Sequence, residues 1–77
     1  MTTTYSIYNH NHNHDRPSHT CTTFERLRAY LTGAKAVAGD AGHLHCVRTV
    51  TDGDDSYIDT CNGEEILHTG ESAFDPA

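Results

Sequence analysis

The residues best suited to chemistry in this 77-residue chain are its seven histidines and three cysteines. His10, His12 and His14 alternate along Asn9-His10-Asn11-His12-Asn13-His14-Asp15, and His19 and Cys21 follow. On an extended strand, alternate side chains share one face, so the three imidazoles would point the same way. Such a row could hold Zn²⁺ or Ni²⁺. Asn and Asp are poor strand formers, however, and Arg16-Pro17-Ser18 breaks the segment. The run reads first as a polar loop, because a histidine-rich tract is only a compositional signal. A metal site on His10, His12 and His14 is the alternative reading.

Cys21, Cys46 and Cys61, with His43, His45 and His68, form a second candidate zinc set. No Cys-x-x-Cys pair is present and no usual structural-zinc spacing occurs. Free cysteines are also among the most often buried residues. A Cys–His pair can act as nucleophile and base. Here no glycine-flanked nucleophile elbow accompanies it, and there is no phosphate loop, dinucleotide fingerprint or zincin motif. Asp52-x-Asp54 lacks the rest of a twelve-residue calcium loop. No catalytic residue and no cofactor are assigned, and the chain is expected not to be an enzyme.

The acids form the most asymmetric pattern. Residues 51–77 hold eight of them, Asp52, Asp54, Asp55, Asp59, Glu64, Glu65, Glu71 and Asp75, and no Lys or Arg. Residues 1–50 hold all five bases and three acids. The last third is thus −8 and the remainder +2. Phosphates would be repelled, so direct nucleic-acid binding by this third is not expected. A basic protein surface would be attracted. The partner-binding candidates are Asp52, Asp54, Asp55, Asp59, Glu64 and Glu65. Acids spaced along strands can imitate the charge row of a nucleic-acid backbone.

These residues need elements to position them. Residues 3–9 are rich in β-branched and aromatic types and read as a strand. A helix is expected from Thr22, where Thr22-Thr23-Phe24-Glu25 fits a capping box. Phe24, Leu27, Leu31 and Ala34, with Tyr30 beside them, make its apolar stripe, and the helix should end by Gly39. Residues 43–69 read as three antiparallel strands. A two-residue turn at Gly53-Asp54 pairs Val50 with Tyr57, Arg48 with Asp59, and Cys46 with Cys61. Asn62-Gly63 is a strong hairpin signal and would set Cys61 against Glu64, Asp59 against Ile66, and Ile58 against Leu67. One sheet face then carries Leu44, Cys46, Val50, Tyr57, Cys61 and Ile66, and is expected to pack on the helix. The expected fold is α+β: one helix packed on a small antiparallel sheet, in the order β-α-β-β-β.

Length and composition bound the rest. Residues 1–77 make one domain, whose tail from 70 to 77 has little to bury and is expected to be mobile. No run approaches the roughly 20 apolar residues of a membrane span. Met1-Thr2-Thr3-Thr4-Tyr5 is not a signal peptide, so a reducing cytoplasm is expected. The odd cysteine count agrees with that compartment. A monomer or a homodimer is compatible with this size.

The Met1-Thr2-Thr3-Thr4-Tyr5 start running into a strand, the Thr22–Leu31 helix and the expected acidic 52–65 hairpins together resemble the small phage-encoded anti-CRISPR proteins. The likeness is one of size, element order and charge across most of the chain. It implies a non-enzymatic inhibitor in the host cytoplasm that binds a protein with a basic nucleic-acid-binding surface, a Cas effector subunit. No residue role is implied, because that group shares no motif.

Overall fold

A computed structural model describes residues 1–9 and 16–75. β1 (Thr2–Asn9) alternates small polar residues with Tyr5 and Ile7, and both of those are buried. It lies inside a four-stranded antiparallel sheet of order β2-β1-β3-β4, with β2 at His19–Cys21, β3 at Leu44–Asp52 and β4 at Asp55–Asn62. The fold class is α+β, with helices on one face of this sheet. The element order differs from the expected one. The short β2 precedes the long helix, and the last expected strand is helical, which gives β-β-α-β-β-α and a closing 3₁₀ turn.

The β3–β4 hairpin has the register that residue matching indicates. Val50 pairs with Tyr57, Arg48 with Asp59 and Cys46 with Cys61, and Asp52 faces Asp55 across the two-residue turn. Gly53 takes φ 62°, while Asp54 stays at negative φ. Positive φ at the first turn position alone belongs to the type II′ turn, whose twist suits a hairpin.

α1 (Phe24–Ala38) starts one residue later than expected. Thr23, not Thr22, is the cap, and its hydroxyl accepts from the Arg26 amide at 3.3 Å. The delay comes from β2, where Cys21 pairs with Tyr5 and keeps the chain extended. Glu25 therefore sits too early to close the reciprocal box. The apolar stripe is as read: Leu27 and Leu31 are fully buried, and Phe24, Tyr30 and Ala34 pack against the core. Gly39 closes the helix, its amide donating to the Lys35 carbonyl at 2.8 Å.

The third expected strand is instead α2 (Gly63–Thr69). Asn62-Gly63 is not a hairpin turn, and the pairings of Cys61 with Glu64, Asp59 with Ile66 and Ile58 with Leu67 do not form. Asn62 caps the helix: its Oδ1 accepts from the Glu65 amide at 2.9 Å, and its Nδ2 donates to Glu65 Oε1 at 2.9 Å. Asn62 is thus the N-cap, and the Glu65 carboxylate accepts from the Asn62 side-chain amide rather than from its backbone amide as in a capping box. Gly63 is a packing glycine with ordinary negative φ. A Cβ there would lie 2.6 Å from the Ala41 carbonyl oxygen and 2.9 Å from both Ala41 Cβ and Leu31 Cδ2. Gly63 and Ile66 are buried and Leu67 is partly so, at helical spacing.

One core joins Tyr5, Ile7, Cys21, Leu27, Leu31, Ala41, Leu44, Cys46, Cys61, Ile66 and Phe74. Leu44, Cys46 and Cys61 are on the expected inner face, and Ile66 joins them from α2. Val50 and Tyr57 share that face by register but lie past the helical cover, and Tyr57 is 58% exposed. The segment after Gly70 buries more than expected. A 3₁₀ turn at Glu71–Phe74 drives Phe74 against the Tyr5 ring at 5.9 Å between centroids. The opposite sheet face, with Thr4, Ser6, Val47, Thr49, Ile58 and Thr60, has none of the helices over it.

Candidate functional site

Helix and strand lengths leave one end of the sheet uncovered. Fifteen residues of α1 span about 22 Å at 1.5 Å each, whereas nine residues of β3 span about 30 Å. Every residue from Thr51 to Ile58 is exposed. Thr2 pairs with Thr51, so Asp52–Asp55 reach past the end of β1. Asp52, Asp54 and Asp55 gather at this tip. Among the described residues, no cation makes an ion pair with any of them.

The other expected binding acids are placed differently. Asp59 faces inward and accepts from Arg48 Nη2 at 2.9 Å. Arg48 also holds Asp75 at 3.0 Å and Glu71 at 3.6 Å, and its guanidinium lies 5.2 Å from the Phe74 ring centroid. The Tyr5 hydroxyl donates to Glu71. This cluster fastens the 3₁₀ turn to the sheet and takes up three of the eight acids. Burial, and then the hydrogen bond to Glu71, push the Tyr5 phenol up to about 12.

Glu64 and Glu65 stand at the far end of β4 from the tip. The seven residue steps from Asp55 to Asn62 separate the two ends by about 23 Å. Glu64 Oε1 accepts from the Ala41 amide at 2.8 Å, and Oε2 from Lys35 Nζ at 3.0 Å. Those bonds, the amide first, hold its carboxyl below the usual range. Glu65 closes the α2 cap. The six candidates therefore do not form one row. Three make a free acidic tip and three hold structure.

Two neighbours of the tip were not among the sequence candidates. Tyr57 is 58% exposed on the helix-side face, and Ile58 is 66% exposed on the open face. A signal for them was present in the chain: a hairpin longer than the helix cannot be covered to its tip.

The cysteines are all buried. Burial, with Cys61 and Cys21 nearby, pushes the Cys46 thiol up to about 12, and burial pushes Cys61 up to about 11. Both stay protonated at neutral pH, and a thiol is a poor nucleophile and metal ligand compared with a thiolate. Among the described residues no group of three or more His, Cys, Asp or Glu is placed to hold a metal ion. His10, His12 and His14 lie outside the described residues. No described helix is long and apolar enough to cross a membrane. No protein-family model matches the chain, and no curated protein or solved structure does either.

Proposed function

We propose that the protein is a non-enzymatic inhibitor that occupies a basic, nucleic-acid-binding surface of another protein, with a CRISPR effector subunit as the partner its resemblance implies. The supporting observation is the tip, where Asp52, Asp54 and Asp55 are exposed and unneutralised beside exposed Tyr57 and Ile58. A tight turn holds these charges at set spacings, so little ordering entropy is lost on binding. Unpaired acids steer encounter with a cationic groove over roughly a Debye length, about 8 Å at physiological salt. Tyrosine supplies a large contact surface with few rotors, the type of residue that anchors interfaces. Glu64, Glu65 and Asp59 contribute through the fold that presents the tip.

The test is competition between this protein and target DNA for a purified Cas effector, at low and high salt. The parent should displace DNA, less well as salt rises. A variant carrying Asp52→Lys, Asp54→Lys and Asp55→Lys should fold normally and lose most of that displacement. Equal inhibition by this variant would show that the tip serves solubility and not binding.

A further inference from the structure

The two edges of the sheet are finished differently. β2 is three residues long, and a short edge strand offers little to a foreign chain. β4 is eight residues long, holds no Pro or Lys, and pairs with β3 through eight consecutive positions without a bulge. Among the described residues, the protections this edge carries are Asp55 at its first position and the inward Asp59, which Arg48 neutralises. The two-residue turn makes Asp52 and Asp55 the first hydrogen-bonded pair. Alternation from there aims the backbone groups of Tyr57, Asp59 and Cys61 at β3, and those of Ser56, Ile58 and Thr60 outward. Among the described residues, no backbone hydrogen bond from outside the ladder reaches them. The side chains of Ser56, Ile58 and Thr60 all lie on the face opposite the helices and are exposed.

We propose that this edge takes an extended, cationic segment of the partner protein by strand addition. The inference rests on the basic partner proposed above and names how that partner is held. Charge decides the occupant. A second copy would pair antiparallel with its faces aligned. Centred on Ile58, that pairing brings Asp52, Asp54 and Asp55 of each copy to the Asn62–Glu65 end of the other. Centred on Asp59, it brings Asp54 and Asp55 of each copy to the Gly63–Glu64 end of the other. Acid meets acid either way, and like charges placed opposite are destabilising. A basic strand meets the reverse situation, since residues 51–77 contain no Lys or Arg to repel it. Its alternation is specified too. Cationic residues belong on the helix-side face, next to Asp55 and over the exposed Tyr57 ring, where a cation–π contact adds to the charge. β-branched or apolar residues belong on the open face beside Ile58.

The experiment titrates the full chain with a synthetic peptide alternating lysine and valine. A glutamate–valine peptide of equal length, and a lysine–valine peptide methylated on alternate backbone nitrogens, serve as comparisons. Backbone amide exchange by NMR is the readout. The lysine peptide should protect the Ser56, Ile58 and Thr60 amides, and the glutamate peptide should not bind. The methylated peptide keeps every charge and side chain but loses donors to the edge, so it should bind about tenfold more weakly or worse. Thr60→Pro removes an outward donor at a position an edge strand tolerates, and should weaken the parent peptide to a similar degree. If the methylated peptide binds as well as its parent while Asp54→Lys abolishes binding, charge alone holds the partner. Strand addition is then overturned and the acidic-tip reading stands. If the lysine peptide fails to bind, both are overturned. If the protein alone sediments as a dimer with those three amides already protected, a second copy is the occupant and the proposal is wrong.

Discussion

Replacing Gly63 with alanine tests the close approach on which α2 depends. The added Cβ would sit 2.6 Å from the Ala41 carbonyl oxygen and 2.9 Å from Leu31 Cδ2. The nearest obstacle is backbone, so the helix must move rather than a flexible side-chain tip. Overpacking of a tight contact costs about 1–3 kcal/mol. The change from glycine to alanine returns up to about 1 kcal/mol of helix propensity, and less at the first helical position. A net loss of about 1–2 kcal/mol is expected, which lowers the melting temperature of a domain this size by roughly 4–16 °C. Gly33 supplies the control. It lies inside α1, and a Cβ there would meet nothing within 4 Å. Gly33→Ala should therefore stabilise by about 0.5–1 kcal/mol, because only the unfolded-chain entropy and helix propensity change. Urea unfolding of the parent and both variants at one pH checks the pair. A neutral or stabilising Gly63→Ala would refute the packing of α2 on Ala41 and Leu31.

Phe74→Ala should cost about 3–5 kcal/mol, as buried phenylalanine truncations do. A core this small supplies only about 3–5 kcal/mol in total, so circular dichroism should show a largely unfolded chain. Retention of the parental melting temperature would mean that the 3₁₀ turn does not dock. Stability should also fall at both ends of the pH range. The Cys46 thiol is raised from 9.0 to about 12, Cys61 to about 11, and the Tyr5 phenol from 10.0 to about 12. The unfolded chain ionises these groups first, so their contribution is complete below pH 9 and is lost as pH rises through the folded values. Glu64 has the opposite sign. Its folded value lies below the ordinary 4.5, so its contribution is present above that pH and disappears as pH falls through the folded value. The stability difference between the parent and Glu64→Gln should vanish at low pH, and urea midpoints across the range read both limbs.

The sequence alone determined the elements whose signals are local and self-consistent. The β3–β4 hairpin is one, because a two-residue turn at Gly53-Asp54 left one register that matched apolar, charged and thiol partners together. The α1 stripe is another, because a three- and four-residue spacing has only one helical face to fill. The charge asymmetry was also legible, since it needs no geometry. The tertiary structure decided the rest. Asn62-Gly63 suits a hairpin, Asn62 with Glu65 three residues on suits a helix start, and the burial of Gly63 and Ile66 in the core goes with the helix. Thr22 and Thr23 are equal caps until the pairing of Cys21 with Tyr5 holds the chain straight past the first. Phe74 is one aromatic residue in a polar tail, and it is buried against Tyr5 and beside Arg48, which also holds Asp59, Glu71 and Asp75. The same physics sorted the acids. A row of like charges in sequence says how much charge there is, but neutralisation depends on which cations the fold brings within reach. Here those cations reach Asp59, Glu64, Glu71 and Asp75, and they leave Asp52, Asp54 and Asp55 facing solvent.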